Sequence, residues 1–176
     1  VDHLFRRPRN SVTIRALRRA QSVLVRRASV GRLVKPDGVG KQRDRLGKSV
    51  TLTLRALAGK PQLDEEARDM AAFMALALRE IEASIDVTCL AWEKRDYWLK
   101  ADQFRREWDW TRTSADKLEK IVLENQWPEL PVAMGGLMQH LAKVNLPKRN
   151  TLGEPWWGGY AALREKRGIE KAYAVK

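Results

Sequence analysis

No glycine or proline interrupts the chain between Pro61 and Pro128, an interval of 66 residues. Strand-and-turn folds lean on those two residues for their turns, so so long a stretch without either favours helices. Within it Met70, Phe73, Ala77, Ile81, Ile85, Cys89 and Trp92 recur at intervals of three or four, which gathers them on one helical face. Asp64, Glu65 and Glu66 supply an acidic start suited to the positive end of a helix. The helix either continues to about Arg112 or bends near Ser84, Asp86 and Thr88. From Tyr97 the stripe shifts to Tyr97, Ala101, Phe104 and Trp108. Thr113 or Ser114 can cap a following helix that carries Leu118, Ile121 and Val122 and stops at Trp127-Pro128. Pro131 opens another, with Val132, Leu137, Met138, Leu141 and Val144 facing inward and Asn145-Leu146-Pro147 as its end. A last short helix follows Gly159 and ends at Gly168. The expected fold is all-α: a small helical bundle over residues 61–176, preceded by a basic arm over residues 1–60.

Charge divides at the same place. Residues 1–60 hold 16 Lys+Arg against Asp2, Asp37 and Asp44, a net of +13, whereas residues 61–176 come to −1. Such asymmetry points to a polyanion-binding arm on a neutral packing domain. The arm is patterned. Asn10 or Ser11 can cap a helix, Gly31 stands where its C′ glycine belongs, and Ile14, Leu17, Ala20, Leu24 and Ala28 share one face. Arg15, Arg18, Arg19 and Arg26 fall on the opposite face, flanked by Arg27, and Arg6, Arg7 and Arg9 extend the charge upstream. The guanidinium fork suits paired contacts with phosphate oxygens. An arginine-rich, acid-poor start also fits a transit peptide. A membrane-surface helix would instead want Trp or Phe on its apolar face. Residues 31–48 hold four glycines and Pro36 and read as a flexible basic loop, with a tight turn at Pro36-Asp37-Gly38 and phosphate-facing Lys41, Arg43, Arg45 and Lys48. After it, Leu46, Val50, Leu54 and Leu57 keep helical spacing and are read as a short helix, although Thr51 to Leu54 also alternate as a short strand would.

Gly47-Lys48-Ser49 imitates the end of a phosphate-binding loop, but the motif needs a glycine where Gln42 stands. One cysteine excludes a disulfide framework and fits a reducing, cytoplasmic compartment. Cys89 lies on the core stripe and reads as a structural thiol. His3 and His140 lack the spacing of a metal site in a bundle. No metal, cofactor or enzymatic activity is therefore expected. No run of 18 apolar residues is present, and no membrane partner is expected. The segment 92–112 places six aromatic residues among basic ones, a pattern that serves either a core or the stacking of unpaired bases. Trp98 and Trp110 fall off the main stripe and are candidates for stacking or subunit contact. So are Trp156 and Trp157, which read as a docking knob for this bundle or a neighbour.

In size, helicity, basic surface and lack of a catalytic set, the chain resembles the small helical subunit of multi-subunit CRISPR effector complexes. The resemblance is architectural and extends over residues 61–176. It implies several copies lining a guide or target strand in an antiviral ribonucleoprotein. The expected function is non-catalytic binding of a phosphate backbone, RNA favoured over DNA, beside other subunits or copies of itself. The alternatives are a ribosome-associated RNA-binding protein, or an interaction protein whose arm meets an acidic partner or an anionic membrane surface.

Overall fold

A computed structural model describes residues 36–146 and 152–168. Among them are five α-helices and no strand: α1 Pro36–Ala58, α2 Glu65–Glu93, α3 Trp98–Leu123, α4 Leu130–Leu141 and α5 Gly159–Lys166, with a 3₁₀ turn at Trp127–Glu129 before α4. The all-α expectation is met. The amphipathic helix expected around Ile14 to Ala28, its cap and its glycine stop, and Arg6, Arg7, Arg9, Arg15, Arg18, Arg19, Arg26 and Arg27 lie outside the described residues.

The central element is α2. Asp64 caps it by accepting from the Ala67 N–H at 2.7 Å, while the Lys60 ammonium pairs with Asp64 and Glu66 at 2.7 and 2.6 Å. The expected stripe is present, with Met70, Phe73, Ala77, Ile81, Ile85 and Cys89 buried. Burial goes further than the stripe: every residue from Met70 to Leu78 is buried. The reason is alanine. Ala71, Ala72 and Ala75 occupy the other faces, and their small side chains let α1, α3 and α5 all close on this one helix. Cys89 is fully buried, its thiol donating to the Ala101 carbonyl at 3.4 Å, and burial raises its pKa.

Two residues other than glycine end helices inside the uninterrupted interval. Asp96 adopts φ +63° and Asn125 φ +57°. Short polar side chains tolerate this left-handed conformation better than other non-glycine residues do. The first break turns the chain from α2 into α3, with the Tyr97 N–H on the Trp92 carbonyl at 3.1 Å. The second stops α3 at Leu123. Neither alternative for this helix holds: it is continuous past Ser84, where the Ser84 and Thr88 hydroxyls donate to the carbonyls of Ile81 and Ser84, and it ends at Glu93, short of Arg112. Thr113 and Ser114 lie inside α3 and begin nothing. In α4 the inward register is Leu130, Met134, Leu137 and Leu141, while Val132 is 78% exposed and Met138 44%. Seating Leu130 on the core sets that register and turns Val132 outward.

The basic arm departs furthest from its sequence pattern. From Pro36 onward the expected loop is helix, continuous to Ala58. Pro36 and Asp37 form its first turn, where proline's missing N–H costs nothing. Val39, Val50, Leu54 and Leu57 are buried against the bundle, and that packing outweighs the helix cost of Gly38, Gly40 and Gly47. Residues 36–58, read as part of the arm, pack as a helix against α2. An added Cβ at Gly47 would meet nothing within 4 Å. Gly47→Ala is accordingly expected to stabilise the fold by about 0.5–1 kcal/mol, read as a higher midpoint in urea with an unchanged slope.

Candidate nucleic-acid interface

The buried positions of α1 fix what its other face presents. With Val39, Val50, Leu54 and Leu57 turned inward, the 3.6-residue period places Lys41, Arg45, Lys48 and Arg55 on the opposite side. All four are exposed, and among the described residues none of them takes part in an ion pair. They form one row of about 21 Å at 1.5 Å per residue. Lys41, Arg45 and Lys48 were legible as candidates. Arg55 was not, because its membership in the row depends on the helix being unbroken.

Arg43 does not join them. Its guanidinium turns inward, 4.9 Å from the Phe104 ring centroid and 5.4 Å from that of Trp108. It also donates to the hydroxyls of Ser84 and Thr88 at 3.3 and 3.4 Å. Burial draws its pKa down. Arg43 is thus an internal strut between α1, α2 and α3 and is withdrawn from the phosphate-contacting set.

Half of the Lys and Arg side chains on the remaining helices are committed to carboxylates. Arg79 of α2 holds Glu82 at 3.0 Å, Glu119 of α3 at 3.0 Å, and Asp116. The Glu119 carboxylate is buried and also receives Arg167 from beyond α5. Arg105 pairs with Glu93, Arg106 with Asp102, and Lys166 with Glu80. The contrast with α1 is one of arrangement. Acids and bases are intermixed on α2, α3 and α5, whereas the outer face of α1 carries only Asp44 against its row.

The aromatic residues separate into two kinds. Trp92, Phe104, Trp108 and Trp110 are partly buried and make a continuous column that ends on His140 of α4. Centroid separations run 5.1, 6.1, 5.9 and 4.6 Å. Trp110 is therefore packed, and its contact is with its own bundle. Trp156 is 5% exposed and donates its indole N–H to Glu66 at 3.0 Å, so this half of the expected knob docks internally. Trp98 and Trp157 remain exposed, at 60% and 52%. Trp98 sits at the α2–α3 turn beside exposed Tyr97 and Leu99.

Among the described residues no cluster of three or more His, Cys, Asp or Glu side chains could hold a metal ion, and no helix is long and apolar enough to cross a membrane. Compared with protein-family models, curated proteins and solved structures, the chain shows no match.

Proposed function

We propose that the protein binds the phosphate backbone of a nucleic acid without catalysis, as a helical component of a ribonucleoprotein particle. The observation that carries this reading is the unpaired row Lys41, Arg45, Lys48 and Arg55 on the outer face of α1. It lies directly downstream of residues 1–32, which add nine arginines against Asp2 alone. Ammonium and guanidinium groups presented in a line neutralise successive phosphates and release their counterions, a source of affinity that reads no sequence. The small-subunit role in a CRISPR effector is a particular form of this proposal. Its support is the helical fold, and its distinctive consequence is an RNA of uniform length co-purifying with a repeated backbone subunit.

The test is anisotropy of a labelled oligonucleotide with the variant K41A/R45A/K48A/R55A. At fixed low salt the affinity is expected to fall at least tenfold, while Arg43→Gln, which disturbs packing instead, leaves binding within about twofold at temperatures where it is folded. The four positions are exposed, so the quadruple variant keeps its melting temperature. Unchanged affinity in that variant, together with loss in a chain lacking residues 1–32, would move the interface entirely to those residues. Unchanged affinity in both would remove the proposal.

A further inference from the structure

The aromatic column ends at an imidazole in the wall of a groove. Trp110 of α3 and His140 of α4 stack with their planes 3° apart and their centroids at 4.6 Å. One side of Trp110 is already taken by Trp108, and His140 is exposed. Both rings line an open groove of about 390 Å³ between α3 and α4, together with Ser114, Lys117, Asp109 and Gly136. A planar ring laid against His140 would extend the column by one member.

The polar walls restrict what that ring belongs to. Lys117 is exposed and has no ion pair among the described residues, so its ammonium can meet a phosphate. The Ser114 hydroxyl lies on the same wall and can donate alongside it. Asp109 presents a carboxylate, an acceptor for the exocyclic amino group of a base. Arg106 is at the rim but is engaged by Asp102 at 2.8 Å.

The sequence of α4 adds an independent sign. Gly135 and Gly136 stand together in the middle of this helix, where each weakens it relative to alanine. No neighbour demands either, since a Cβ added at each meets nothing within 4 Å. Gly136 lies one helical turn from His140 on the same wall, and its missing side chain leaves the groove open there.

We propose that this groove is a nucleobase pocket. It takes one unpaired base, stacked on His140 at the end of the column, with the adjoining phosphate on Lys117. The assignment rests on the phosphate-binding reading above and sharpens it toward single strands, because a base within a duplex cannot enter.

The experiment compares a short labelled single strand, its duplex and adenosine monophosphate, on the full chain and on Gly136→Leu and His140→Ala. Gly136 faces open space and His140 is exposed with Trp110 as its ring contact, and circular dichroism melts confirm the fold. The wild-type chain is expected to prefer the single strand to the duplex at equal salt, and single-strand binding is expected to quench tryptophan fluorescence. Each variant is expected to lose about tenfold in single-strand affinity and to keep its duplex affinity. Quenching by the mononucleotide that disappears in Gly136→Leu would assign the pocket to free nucleotide as well. Such quenching without any binding of either strand form would uphold the pocket and defeat the phosphate-row reading. Variants that bind single strand and mononucleotide as the wild type does overturn the pocket while leaving that row intact.

Discussion

Gly159→Ala is expected to lower the unfolding free energy by about 2–4 kcal/mol, the combined scale of overpacking and of lost hydrogen bonds to a charged group. A Cβ at this position would lie 2.5 Å from the Asp69 carbonyl oxygen, 3.0 Å from the Phe73 nitrogen and 3.2 Å from the Phe73 Cβ. Two of those atoms belong to the backbone of α2, which cannot move aside without unwinding the most buried helix of the bundle. The start of α5 must therefore retreat. That retreat also breaks a cap supplied from another element, for the Asp69 carboxylate accepts from the Gly158 and Tyr160 N–H groups at 2.8 and 2.9 Å. Those N–H groups are orphan donors of the first helical turn and have no partner within α5. Gly136→Ala, in open space, is the control and is expected to be neutral or stabilising. The comparison is read from urea unfolding followed by circular dichroism. Equal midpoints for Gly159→Ala and the wild type would mean that α5 does not sit on α2 as described.

Trp156→Ala is expected to cost about 3–5 kcal/mol, the range for truncating a large buried aromatic. The ring joins the hydrophobic core at 5% exposure, and its N–H on Glu66 anchors the segment ahead of α5 to the first turn of α2. Trp157→Ala provides the contrast. That ring is half exposed and bonds only locally, to Glu154 at 2.9 Å, so its loss should stay within about 0.5 kcal/mol. Trp156 and Gly159 secure the same junction, and their combined effect should fall short of additive. A Trp156→Ala chain as stable as Trp157→Ala would contradict the docking.

The core helices were legible because the signals that define them are local. Asp64 precedes a strongly periodic apolar run, and Gly158-Gly159 opens the last helix. Three features were not. The turn at Asp96 depends on a left-handed aspartate, which no composition rule distinguishes from the helical aspartates around it. The first half of the helix over Pro36–Ala58 contradicts its own glycine content, whereas the stretch from Leu46 to Leu57 showed helical spacing. The helix exists because α2 offers a surface to Val39, Val50, Leu54 and Leu57, a tertiary effect that outweighs propensity. Arg43 followed from the same misreading: in a loop it is one more cation, whereas on a helix its register directs it onto Phe104 and Trp108. The candidate interface was accordingly half visible. Charge asymmetry located it on the first sixty residues, and only the helical register separated Lys41, Arg45, Lys48 and Arg55 from Arg43. The groove at His140 could not be anticipated, since Trp110 and His140 are thirty residues apart and meet only when α4 packs on α3.

The central claim is that unpaired cations at the front of this chain hold a phosphate polymer. The most direct measurement is the dependence of single-strand affinity on salt. If about six phosphates are neutralised, log K against log salt falls with a slope near −4. In K41A/R45A/K48A/R55A the same plot flattens by up to about 3 if each of the four cations meets one phosphate. A nearly flat line for the wild-type chain would contradict the account.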